Sequence, residues 1–154
     1  MPAAQQQGTR RQAGVTHALT TYVEQHVRDV PEAPMLAALR AEHRHLASAL
    51  ALLSEHLGAV ERGEPVNTHV IYETMEYMVT WVDRHHHARE DIIYDYAAEV
   101  DSGLREDRRS LEQEHDHMAR AGRDLLHCVE RWRAGEVGGA ELVRRGRDYV
   151  QRSY

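Results

Sequence analysis

The run Asp83-Arg84-His85-His86-His87-Ala88-Arg89-Glu90-Asp91 holds three consecutive histidines and then two carboxylates, inside a segment with no proline or glycine from Thr68 to Ser102. Without either breaker, that segment reads as one long helix. On a helix, His86 and Glu90 are one turn apart and project from the same face. Such a pair can hold a metal ion: the imidazole gives one ligand, and the carboxylate can bind one ion or bridge two. The row predicted to face inward is Ile71, Met75, Met78, Val82, His86, Glu90, Ile93 and Ala97. A buried row interrupted by His and Glu is costly unless those groups are paired or bound to metal.

Working outward, the spacing predicts three further helices around this one. Upstream, a helix from about Pro34 to Arg62 has the seam Leu36, Leu39, His43, Leu46, Leu50, Leu53 and Leu57, a 3-4-3-4 pattern of antiparallel bundles. Pro34 suits a first turn. Gly63-Glu64-Pro65 closes that helix, and Asn67 or Thr68 caps the next, which spans Thr68 to Val100. Downstream, Asp101-Ser102-Gly103 makes a turn into a helix from about Leu104 to Ala134. Its seam is Leu104, Arg108, Leu111, His115, Met118, Gly122, Leu125, Val129 and Trp132. A loop with three glycines, 135–139, precedes a last helix from about Ala140, with Leu142, Gly146, Tyr149 and Val150 inward. The fold class is therefore all-α: an up-down four-helix bundle with a short fourth helix and an extra helix at the N-terminus.

Ahead of the bundle, residues 1–34 read as a polar tail, a short amphipathic helix and a stiff proline linker, with the bundle proper at 35–154. Val15, Leu19, Val23, Val27 and Val30 recur at helical spacing, and Pro31 and Pro34 frame the linker. That first helix is expected to dock on the bundle or add a layer to it.

The bulk numbers exclude several classes. A net charge of −6 leaves no basic field to neutralise phosphates, so nucleic acid is not an expected partner. No window approaches 18 apolar residues and the first 21 lack an apolar run, so neither membrane span nor signal peptide is expected, and the cytoplasm is the expected compartment. Cys128 is the only cysteine, which rules out an internal disulfide and a thiolate cage. The 12 histidines are the unusual count, and three of them, His43, His86 and His115, fall on the seams of three different helices.

In an up-down bundle those three histidines and Glu90 can meet at one depth, the arrangement by which facing helices hold metal ions. Nitrogen and carboxylate oxygen without sulfur suit iron or manganese, with zinc as an alternative. The expected metal ligands are His43, His86, Glu90 and His115, and iron is the expected cofactor. Asp91 and Glu114 adjoin proposed ligands and are placed to orient them. His85 and His87 flank the inward row, and the remaining histidines read as surface or rim. Tyr72, Tyr77, Tyr94, Tyr96 and Tyr149 read as aromatic core. Ser48, Ser54, Ser102 and Ser110 lack any nucleophile setting.

Three elements together resemble the hemerythrin-like proteins of the HHE cation-binding group. They are Ala41-Glu42-His43-Arg44, then Tyr77-Met78 through Asp83-Arg84-His85-His86-His87-Ala88-Arg89-Glu90-Asp91, then Leu111-Glu112-Gln113-Glu114-His115. The resemblance runs from about Met35 to the C-terminus. It implies a four-helix bundle with a non-haem di-iron centre: His43 and His86 on one iron, Glu90 bridging, His115 on the second. It also implies a small-molecule partner such as oxygen, peroxide or nitric oxide, met by binding, sensing or turnover. An iron-dependent enzyme processing peroxide or nitrogen oxides, and a metal-free helical interaction module, stand as the alternatives. The family's fourth helix usually carries a His and a Glu one turn apart, whereas here the chain reaches Arg152-Ser153-Tyr154 before such an element. The expectation is then a fragment, a site completed by a partner chain as in a homodimer, or a single well-held iron.

Overall fold

A proline that can lack its N–H without loss opens helix α1, Pro34–Glu61, and a leucine seam carries it through seven turns. The computed structural model describes residues 34–153. The predicted N-terminal helix lies outside the described residues. Leu39, Leu50, Leu53 and Leu57 are buried along α1, each worth ~1.5–3 kcal/mol of apolar transfer. Gly63 then takes a positive φ of 70°, which only glycine adopts at no cost, and lets the chain reverse.

The second rod runs without a break from Thr68 to Val100 as three joined pieces: α2, Thr68–Tyr77; a π-helical stretch, Met78–His86; and α3, His87–Val100. Asn67 caps it, its side-chain oxygen accepting the His69 backbone N–H. At the end of the π stretch the His87 N–H bonds to the Val82 carbonyl five residues back. A tight turn, Ser102–Leu104, leads into α4, Arg105–Arg133, and α5, Gly139–Ser153, completes the bundle. Asp101 fixes that turn by accepting the Gly103 N–H.

Rods two and four both pack against α1 and α4, which closes a ring of four. The core is Leu50, Leu53, Leu57, Ile71, Met75, Met78, Val82, Leu125, Cys128, Val129, Leu142 and Tyr149. Gly146 lets α5 approach α1 closely, since a Cβ there would stand 2.5 Å from Leu57 Cδ1. Among the described residues no helix is long and apolar enough to cross a membrane, and none forms a strand.

The π stretch corrects the predicted inward row. Ile71, Met75, Met78, Val82 and His86 are buried, but the row continues through Tyr94 and Ala98, while Ile93 and Ala97 are only partly buried. A wider turn between Met78 and His86 rotates α3 relative to α2, so that from Met78 onward residues four apart keep one face. The same rotation puts Tyr96 outside: it is 69% exposed, not aromatic core. Val150 is partly buried, and Val143 takes a core place beside Leu142.

Candidate metal centre

The site lies between α1, the junction of the π stretch with α3, and the first half of α4. Glu90, one turn after His86, sits at its middle with its side chain 13% exposed. His115 Nε2 lies 3.3 Å from one carboxylate oxygen of Glu90, and His86 Nε2 lies 3.8 Å from the same atom. His43 Nε2 is 3.8 Å from the other oxygen. The His43 and His86 rings meet edge to face with centroids 4.7 Å apart. Thus all four residues singled out in the sequence come together around one carboxylate.

They are not equivalent. One donor atom each from His43, His86 and Glu90 lies within 4.8 Å of the others, a set able to hold a metal ion. His115 joins through Glu90. His86 is fully buried, whereas the His43 side chain is 43% exposed and forms the solvent edge rather than the buried seam position its spacing predicts.

Behind the histidines stand carboxylates. Nδ1 of His86 donates to Glu42, 2.9 Å away, and Nδ1 of His115 donates to Asp91, also at 2.9 Å. With the proton held at Nδ1, Nε2 of each ring is the atom that faces Glu90; on His115 it presents a lone pair when the ring is neutral and an N–H donor to the carboxylate when the ring is protonated. Glu42 also takes an ion pair from Arg89. Asp91 therefore does what its position beside the ligands suggested. Glu42 stands out in the sequence only as part of a motif. Beyond that motif, no local signal marks the role that it takes across the gap to His86.

His87 is a second residue that spacing undervalues. It is buried, its ring stacks on His115 at 4.0 Å with planes 14° apart, and its Nδ1 lies 3.3 Å from Asp83. The π turn accounts for this, because it lets two successive histidines, 86 and 87, both turn inward. His85 stays exposed near Trp81.

The electrostatics reflect burial and partners. Burial pushes the Glu90 carboxyl up, but the hydrogen bond and charge of His115, then the charges of His43 and His86, outweigh it and hold it low. Burial pulls His115 down, and Glu90 and Asp91 more than restore it, so its pKa is raised. His43 is lowered, chiefly by burial, with Glu90 opposing. At Glu42 burial raises the pKa, but the His86 hydrogen bond and the Arg89 charge prevail and lower it. A nearly buried anion faced by three imidazole nitrogens is a pocket that a cation satisfies better than water does.

The family model for the hemerythrin HHE cation-binding domain matches residues 35–152. No curated protein and no solved structure matches the chain.

Proposed function

Because this chain belongs to the hemerythrin HHE cation-binding family, we propose that it holds iron at His43, His86, Glu90 and His115 and meets oxygen or a related small molecule there. The observation that carries this reading is the mutual approach of donor atoms from His43, His86 and Glu90 within 4.8 Å. The donor set, two imidazoles and a carboxylate with a third imidazole beyond, suits iron better than a tetrahedral thiolate metal. Bound iron would supply coordination positions and redox chemistry for the small molecule.

The protein's own groups prepare that site. Glu42 and Asp91 fix the tautomers of His86 and His115, so binding need not reorganise either ring. Glu90 stays ionised because its neighbours hold its pKa low, and it offers one oxygen to His43 and the other to His86 and His115. On this reading His43, His86 and Glu90 would hold the first ion, and His115, which faces the same Glu90 oxygen as His86, would help hold a weaker second one. The partly exposed His43 edge is the approach for a small molecule.

The test is metal content after aerobic purification, with an optical spectrum. About one to two irons per chain, with near-ultraviolet bands that chelation removes, is the expected result. Retention of zinc alone, or no metal after reconstitution, rejects the reading.

A further inference from the structure

Thr74, His86 and His87 are the buried polar side chains among the described residues. Thr74 gives its hydroxyl proton to the Val70 carbonyl, and His86 stands between Glu42 and Glu90. His87 takes no part in the proposed ligand set, yet the π-helical stretch turns it inward beside His86.

Its surroundings show a use for it. The ring lies on one face of His115, centroids 4.0 Å apart and planes 14° from parallel. One turn back, Asp83 Oδ1 stands 3.3 Å from Nδ1 of His87. The other oxygen, Oδ2, is buried with no hydrogen-bond partner among the described residues. A buried acceptor left half satisfied costs free energy that an apolar side chain in its place would not. Packing alone therefore leaves this carboxylate unexplained, whereas steadying one imidazole accounts for it.

His115 needs such support. Asp91 accepts from its Nδ1 at 2.9 Å, and Glu90 faces its Nε2 at 3.3 Å. Both contacts lie at the edge of the ring, and hydrogen bonds tolerate bending, so neither sets the ring's tilt closely. The Asp91 side chain is moreover 38% exposed, which makes it a loose post. Once Nε2 and Glu90 share a cation their direct contact is gone, and the face against His87 is the buried contact that remains. An imidazole lone pair lies in the ring plane, so a tilted ring no longer aims at the ion.

We propose that His87, steadied by Asp83, is a positioning residue: its ring fixes the plane of His115 and so keeps the second metal position usable, while α5 bears none of the proposed ligands. This inference rests on the metal reading above. His87 is not itself a ligand there. With the two rings so nearly parallel, an ion in the plane of His115 lies well out of the plane of His87.

Two readouts on the full 154-residue chain test it, beside His87→Ala and a His87→Phe/Asp83→Asn double variant that keeps a flat face without a ligating nitrogen. In the metal-free chain, NMR follows exchange of the His115 Nδ1 proton with water. His87→Ala should speed that exchange about ten-fold or more, and the double variant should keep it slow. In anaerobic titration with ferrous iron, His87→Ala should weaken the second binding step about 10- to 100-fold and spare the first, again with rescue by the double variant. Either readout unchanged in His87→Ala overturns the proposal. So does a double variant that behaves like His87→Ala, which would make a nitrogen of His87 the group required. Uptake of a single iron by the parent overturns it as well, since no second position would exist to be set. A parent that binds no iron faults the metal reading instead, and the proton exchange then decides whether His87 holds His115.

Discussion

Nδ1 of His86 stands 2.9 Å from a carboxylate oxygen of Glu42, across the gap between α1 and the second rod, and the same carboxylate pairs with Arg89 nearly one turn on. One acidic side chain thereby sets the tautomer of a buried histidine and ties two helices together at the level of Glu90.

Removing that carboxylate should weaken metal binding without removing any proposed ligand. Glu42→Ala is expected to lower affinity about 10- to 100-fold, with Glu42→Gln between it and the parent. Competition against a chelator of known affinity measures it. Unchanged affinity in Glu42→Ala would show that His86 needs no support.

The His115–Glu90 contact gives the metal-free chain a pH window. His115 is held above its ordinary 6.5, so its contribution is complete below that value and is lost as pH rises through the raised pKa. Glu90 is held below its ordinary 4.5, so its contribution is complete above that value and is lost as pH falls through the lowered pKa. The Tm advantage of the parent over His115→Gln should therefore be greatest between pH 4.5 and 6.5 and shrink on both sides. Thermal melts from acid to mildly alkaline pH at fixed ionic strength would reveal this, and a flat difference would refute it.

The two histidines at the edges should separate by stoichiometry. His43→Ala removes one of three mutually close donors and is expected to abolish tight binding of the first ion. His115→Ala should leave about one ion per chain. Metal analysis of the two variants decides it, and the reverse ranking would move the principal site to the α4 side.

Gly146→Ala should destabilise the bundle by about 1–3 kcal/mol, because the new methyl meets a Leu57 side chain that is 1% exposed and has nowhere to go. Chemical denaturation gives the change, and metal content should hold, since α5 bears none of the proposed ligands. A neutral substitution would mean that α1 and α5 part freely.

The bundle was legible because the leucine seam of α1 and the seam of α4 repeat at helical spacing, and because glycine, proline and asparagine punctuate the loops between them. The convergence of His86, Glu90 and His115 was legible for the same reason, since polar groups on apolar stripes have few places to go. His43, by contrast, reaches Glu90 from the solvent edge and not from the buried seam its spacing predicts. The π stretch left no such trace. Local spacing does not distinguish a five-residue hydrogen bond from a four-residue one, so the phase of α3, the outward turn of Tyr96 and the burial of His87 emerged only with tertiary packing. Glu42 was hidden for a different reason. Nothing in a single helix says which carboxylate will cross to a neighbour's imidazole.

The central claim is that His86 and Glu90 anchor an iron site, and anaerobic titration of the metal-free chain with ferrous iron, monitored by calorimetry, tests it most directly. Iron that binds the folded chain should raise Tm with the logarithm of its free concentration above Kd, by a free energy of about 2.7 kcal/mol at a hundred-fold excess over Kd. His86→Ala and Glu90→Ala should abolish the rise. A Tm indifferent to iron, or a rise that survives both substitutions, would contradict the account.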